Sequence, residues 1–213
     1  MSLKILVTSD FHADEDLKEA TIEEANNGDY DIYINLGDYM GFDYADDLFD
    51  RIDIPAIGTT GNRDSMEKDE FEESDIPVYK FLEANIDDDY LVILIGGSFP
   101  DDIKDQVTEI IEEHGDADKV IIGSHYPPKN LQDTIHSGRH IGFDQFREII
   151  LRNKPALWMS GHVHEDYGRD SLFSTEMINA ASEESGKGYS VELSEDGGVE
   201  SIEEIVLVEK ENQ

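Results

Sequence analysis

Five short segments carry residues suited to metal chemistry: Asp10-Phe11-His12, Gly37-Asp38, Gly61-Asn62-Arg63-Asp64, Gly123-Ser124-His125 and Gly161-His162-Val163-His164. Taken singly, each reads as a turn at a strand end, or as a histidine satisfied by its neighbours. Together they supply Asp10, Asp38, Asn62 and four of the chain's seven histidines. The chain has no cysteine, so the donor set is oxygen and imidazole. Such donors suit Mn, Fe or Zn. Seven residues with one shared carboxylate make eight coordination contacts, enough for two divalent ions. Two ions roughly 3.5–4 Å apart have the geometry for in-line displacement at phosphorus.

Something must bring the five segments together, and the elements around them do so by direction. Leu3 to Ser9, Asp31 to Leu36, Ile54 to Thr60, Val120 to Gly123 and Pro155 to Ser160 read as strands, and each runs into one of the segments. Further strands are expected over Val78 to Leu82, Leu91 to Ile95, Leu172 to Asn179, Gly188 to Leu193 and Ile202 to Val208. Helices are expected over Asp14 to Asn27, Tyr44 to Phe49, Asp101 to His114 and Gly142 to Arg152. In the third of these, Ile103, Val107, Ile110 and Ile111 share one face. Alternating strands and helices predict an α/β layered fold, and the late run of short strands predicts a second sheet. Ligands in α/β sheets gather where the carboxyl ends of strands meet, so the polar residues should converge there.

Composition bounds the rest. With 213 residues, the chain suits one domain over 1–213 with a sizeable core. Ile, Leu, Val and Phe make up about a quarter of it, above the roughly 20% below which disorder is the default. Acidic residues number 51 against 16 basic, a formal net charge of −35. They lie in Asp14-Glu15-Asp16, Asp46-Asp47, Glu67-Lys68-Asp69-Glu70, Asp87-Asp88-Asp89 and Glu183-Glu184, between apolar runs rather than in a tail. One reading is simply the solvated surface of an acidic protein. The sharper one, which we favour, is a halophile's surface, because in 1 M salt the Debye length falls to roughly 3 Å and self-repulsion is screened. No basic stripe exists to neutralise phosphates, so a nonspecific nucleic-acid binder is disfavoured. No run approaches the roughly 18 apolar residues of a membrane span, and the start of the chain has no signal-peptide pattern. A cytoplasmic protein that does not engage a membrane is expected.

In this order, the five segments resemble the calcineurin-like metallophosphoesterase superfamily, whose pattern is D-x-H, G-D, G-N, a later G-x-H and G-H-x-H. His125-Tyr126-Pro127-Pro128, then His136 to Gly142, then Gly161 to Glu165, further resemble a small prokaryotic or archaeal single-domain branch. The resemblance implies a four-layer α-β-β-α sandwich with two mixed sheets flanked by helices. It implies that Asp10, His12 and His164 bind one metal ion and that Asn62, His125 and His162 bind a second, with Asp38 bridging. It further implies a metal-bridging hydroxide attacking a small phosphodiester or phosphomonoester in line, with Mn²⁺ the first choice of metal and Fe, Zn or Ni possible. The oligomeric state is left open.

The pattern departs at Arg63, where many members of the family carry histidine. Arginine does not give up its proton at ordinary pH, but it can grip a phosphate oxygen with a planar fork. Either Arg63 stabilises transition-state charge, with Asp64 orienting it, or it merely pairs with a carboxylate. His140, with His136 in the same loop, is the candidate for a substitute acid. The alternative is that this loop is an ordinary exposed one. Tyr39 and Phe42 could wall the substrate pocket, and Asn179 could hydrogen-bond near the site. Glu165 and Asp166 read as supporting or solvated residues, and His114 as a helix-end charge. Two other readings stand beside the phosphoesterase. One is a repair-type nuclease, which would need a basic groove around Arg63, Lys129, Arg139 and Arg169. The other is a noncatalytic metal-binding scaffold for a protein partner.

Overall fold

In strand β1 (Leu3–Thr8), Leu3, Ile5 and Val7 face one apolar cluster while Leu6 faces another. Strand β6 (Tyr90–Ile95) repeats the pattern: Tyr90, Val92 and Leu94 join the first cluster, and Leu91, Ile93 and Ile95 face a third. Side chains in a strand alternate between faces, so both strands are covered on both sides. The shared cluster is therefore the layer between two sheets. The computed structural model describes residues 2–66, 68–86 and 89–210. Glu67, Asp87 and Asp88 of the acidic clusters lie outside the described residues.

The first sheet joins, edge to edge, β12 (Val199–Val206), β11 (Lys187–Leu193), β1, β2 (Ile32–Asn35), β3 (Ala56–Thr59) and β4 (Val78–Tyr79). The second joins β5 (Phe81–Ile86), β6, β7 (Val120–Ser124), β8 (Leu157–Ser160), β10 (Thr175–Asn179) and β9 (Gly168–Leu172). Helices α1 (Glu15–Asn27) and α2 (Phe42–Asp50) cover the outer face of the first sheet, with Leu17, Ile22, Leu48 and Phe49 packed with Leu6 and Tyr33. Helices α4 (Ile103–His114) and α5 (Asp144–Asn153) cover the second, with Ile103, Val107, Ile111, Phe146 and Ile149 packed with Ile93, Ile122 and Trp158. Two short helices, α3 (Lys68–Glu73) and α6 (Ser182–Ser185), complete the set. The architecture is the expected α-β-β-α sandwich with two mixed sheets. Among the described residues, no helix is long and apolar enough to cross a membrane.

Strands β1 to β4 run parallel, as do β6, β7, β8 and β10. Parallel strands send their carboxyl ends to one edge of their sheet, which is where the five segments begin.

Two strands expected as continuous are divided. The run 78–82 splits into β4 in the first sheet and β5 in the second, and the Lys80 carbonyl between them accepts from Gly96 N–H at 2.8 Å. The β-propensity is continuous there, but the pairing partner changes. The run 172–179 contains the turn of a β9–β10 hairpin instead. Phe173 occupies that turn at φ 59° and is 68% exposed. An aromatic residue gives no turn signal, so its sequence reads as strand.

Candidate metal centre

The loops after β1 and β2 lock together through their backbones. Asp10 N–H donates to Gly37 O at 2.9 Å, His12 N–H to Asp38 O at 3.0 Å and Ala13 N–H to Tyr39 O at 3.0 Å. Asp10, His12, Asp38 and His162 all adopt left-handed backbone, with φ of 56°, 48°, 61° and 69°. This region is unfavourable for residues with a Cβ, and such strain clusters at functional sites. Here it turns the side chains into one space. Side-chain crowding adds to the constraint at Gly161, where a Cβ would overlap Ser9 Oγ and Asp10 Oδ2.

Two groups result, Asp10 with His12 and His164, and Asp38 with His125 and His162. Within each group the potential ligand atoms all lie within 4.8 Å of one another. His164 Nε2 is 3.5 Å from Asp10 Oδ1, and His12 Nε2 is 3.9 Å from the same oxygen. Asp38 presents one oxygen to each group, with Oδ2 3.2 Å from His12 Nε2 and Oδ1 3.7 Å from His125 Nε2. Asn62 joins the second group, its Oδ1 2.9 Å from His125 Nε2.

Several features suit bound cations. Asp10 Oδ1 is buried without a hydrogen-bond partner, an arrangement that costs free energy unless something positive meets it. His125 Nδ1 is 2.9 Å from the Leu36 carbonyl and so carries the ring proton. Its Nε2 lone pair then faces the Asn62 oxygen, and a shared cation reconciles two facing acceptors. Burial would raise the Asp10 carboxyl, but the His164 and His125 imidazoles outweigh it and hold it well below the usual range. Burial likewise works to raise Asp38, and His12 and His125 bring it below its ordinary value. Burial and His125 push His162 down to about 4, leaving a neutral ring. For His12 and His164 burial acts downward, but Asp10 and Glu183, with Asp38 at His12, raise both above the ordinary value.

The residues around the two groups have distinct places. The Arg63 side chain is half exposed, its Nε 3.8 Å from Asp38 Oδ2 and its Nη1 3.5 Å from His12 Nδ1. Asp64 does not orient it. Asp64 is buried and accepts from the N–H groups of Gly61 at 2.7 Å, Asp38 at 2.8 Å and Met40 at 3.1 Å. It ties the second and third segments together because those backbone donors have no water to turn to. Tyr39 is fully buried against Phe49 and Phe71, and Phe42 packs on Phe71, so neither ring walls the site. The aromatic ring beside the ligands is Tyr126, 4.5 Å from the His162 ring and 5.1 Å from that of His125. Asn179 is a brace: its Nδ2 donates to the Val163 carbonyl at 2.7 Å and so holds the segment carrying His162 and His164.

His140 stands on the loop between His125 and α5, outside both ligand groups. Its Nδ1 is 2.6 Å from Oδ1 of buried Asp133, and its side chain is 45% exposed. The loop is tied down beside His164, with Thr134 N–H donating to Asp166 Oδ2 and His136 N–H to Glu165 Oε1. Lys129 donates to the His140 carbonyl and Arg169 to that of Ile202, contacts that do not gather them around Arg63. Sequence reasoning missed Glu183, whose Oε2 lies 2.5 Å from His12 Nδ1 and 3.3 Å from His164 Nδ1. It is 171 residues from His12, and no local spacing signals the contact.

Residues 3–166 match the family described as calcineurin-like phosphoesterase. No curated protein matches the chain. Among solved structures, TT1561 of Thermus thermophilus superposes with a TM-score of 0.73 at 13% identity, over 98% of this chain and 100% of that one. GAP50, the anchor in the inner membrane complex of Plasmodium, gives 0.62 at 13% identity over 98% and 90%. A novel archaeal phosphodiesterase gives 0.51 at 18% identity over 96% and 99%. At these identities the likeness is one of fold.

Proposed function

The chain belongs to the calcineurin-like phosphoesterase family, and on that premise we propose that it is a dinuclear metal-dependent phosphoesterase acting on a small phosphodiester, with phosphomonoesters the alternative class. The observation that carries this reading is Asp38, whose two oxygens face His12 and His125, one in each ligand group. Asp10, His12 and His164 would hold one ion, and Asn62, His125 and His162 the other, with Asp38 shared. Divalent ions, Mn²⁺ first among them, supply when bound the positive charge that offsets a phosphoryl group and makes water acidic enough to react near neutral pH.

The chain's own groups do the rest. The Asp64 carboxylate keeps the Asp38 and Gly61 loops in register. Arg63, half exposed beside Asp38, grips a phosphoryl oxygen with its planar fork and stabilises charge that grows in the transition state. His140 is the candidate proton donor to the leaving oxygen. With Asp133 holding Nδ1, the imidazolium form of the ring carries on Nε2 the proton that the leaving oxygen would take. The preference for diesters rests on Arg63 replacing an acid and on the archaeal phosphodiesterase among the fold relatives. The scaffold reading is disfavoured because both ligand groups are complete.

The test is hydrolysis of a nitrophenyl phosphodiester and the matching monoester with Mn²⁺ in molar KCl, comparing the unaltered chain with Asp38→Asn. Loss of turnover by about 10²-fold or more on substitution supports the reading, in line with removal of an electrostatic stabiliser. Equal turnover in both proteins would overturn it. The diester-to-monoester ratio then measures the substrate preference.

A further inference from the structure

The two ligand groups differ in what stands behind their imidazoles. In the first, one carboxylate oxygen stands behind both rings, with Glu183 Oε2 hydrogen-bonded to His12 Nδ1 at 2.5 Å and in charge contact with His164 Nδ1 at 3.3 Å. The two rings are stacked with centroids 4.9 Å apart, which lets a single oxygen reach both. Their Nε2 atoms point the other way, that of His164 towards Asp10 Oδ1 and that of His12 towards Asp38 Oδ2, with Asp10 Oδ1 beyond. In the second group the backing atom of His125 is the neutral Leu36 carbonyl, 2.9 Å from Nδ1. The His162 ring packs edge-on against Tyr126 and His125.

We propose that Glu183 is a positioning residue that makes the two metal sites unequal. It accepts the Nδ1 proton of His12, so that the Nε2 lone pair of that ring faces Asp38 and Asp10, and its charge stands beside His164. The ion at that site binds first and more tightly. The proposal rests on the two-metal reading above. A carboxylate behind a ligand imidazole fixes its tautomer and raises its basicity, and removing it typically weakens metal binding by about 10- to 100-fold. A neutral carbonyl fixes the tautomer but adds no charge. The Glu183 side chain is 40% exposed, which places the expected loss at the lower end of that range because water screens its charge. The same contact bears on Arg63, which stands beside His12 and Asp38. With the Nδ1 proton donated to Glu183, the Arg63 Nη1 3.5 Å away has no acceptor in that ring and is left for an incoming anion.

The test uses the full chain, stripped of metal, as wild type, Glu183→Ala and Glu183→Gln. Calorimetric titration with Mn²⁺ is expected to show two steps for the wild type. Glu183→Ala should weaken the tighter step by about tenfold and leave the other within about threefold. Glu183→Gln should recover part of the loss, because its amide oxygen still accepts the Nδ1 proton. Nitrogen NMR of the imidazoles in the metal-free proteins reads the tautomers directly. At alkaline pH, where the rings are neutral, His12 is expected in the Nδ1–H form in the wild type and shifted towards Nε2–H in Glu183→Ala, where Asp38 is the partner that remains. Unchanged steps together with unchanged imidazole spectra would overturn the role of Glu183. A wild type that binds fewer than two ions would instead sink the two-metal reading, while the imidazole spectra would still decide for or against Glu183.

Discussion

At the scale of single residues, the centre is defined by how little room it leaves. A methyl group at Gly161 would overlap Ser9 Oγ and Asp10 Oδ2. Asp10 can retreat only by giving up the hydrogen bond that its Oδ2 accepts from His162 N–H at 2.8 Å. Gly161→Ala should therefore weaken Mn²⁺ binding about tenfold through displaced Asp10 and cost about 1–3 kcal/mol of stability through overpacking. Calorimetry and urea unfolding check the two effects separately. Protonation matters at the same scale. His12 and His164 hold protons more tightly than the ordinary value of 6.5, so protons compete with metal for them as pH falls through and above that value. His162, down at about 4, competes only in more acid solution. Metal affinity should thus fall from pH 8 to pH 6, by up to about tenfold per pH unit for each imidazole that must lose a proton. An affinity flat over that interval would contradict the assignment of His12 and His164 as ligands.

At the scale of elements, the loop between β7 and α5 is held by one buried carboxylate. Asp133 Oδ2 accepts from Asn130 N–H at 3.0 Å and Gly142 N–H at 2.9 Å, closing both ends of the loop, while Oδ1 takes the His140 ring at 2.6 Å. Removing that carboxylate strands two backbone donors, a cost of about 1–3 kcal/mol for each one that stays buried. Asp133→Ala should raise amide exchange across residues 130–142 while the β6, β7 and β8 strands keep their protection. Hydrogen exchange with mass spectrometry reads both at once. Equal protection of the loop in both proteins would show that the clamp is not Asp133.

The whole molecule carries a net charge of −35. Most of its described cations are already matched. Lys18 lies between Glu15 and Asp47, Arg51 contacts Glu19 and Asp47, and Lys104, Lys119, Arg152 and Lys187 each meet a carboxylate within 3.0 Å. With 51 acids to 16 bases, most carboxylates are left to repel one another. Salt acts on both terms. Exposed pairs are worth about 0–1 kcal/mol each, so screening them costs little, whereas screening the remaining like charges removes repulsion that extends across the surface. The melting temperature should rise between 0.1 M and 2 M KCl. A midpoint that stays level or falls would count against a fold adapted to high salt.

The strand and helix patterns foretell the two-sheet α/β architecture and the meeting of five polar segments at strand ends, while the family resemblance singles out seven residues among them. Strand patterns alternate with period two, helical faces repeat near 3.6, and polar residues at parallel strand ends must meet. Those are short-range properties that a linear reading captures. Packing in three dimensions sets the rest: Glu183 backs His12 across 171 residues, Asp64 braces backbone rather than Arg63, and Tyr39 belongs to the core. It also sets where the chain passes from one sheet to the other between Tyr79 and Phe81. In each case the residue type suits more than one role. The role is set by which partner atoms the packed layers bring within a few ångströms, and distance in space is not written in distance along the chain.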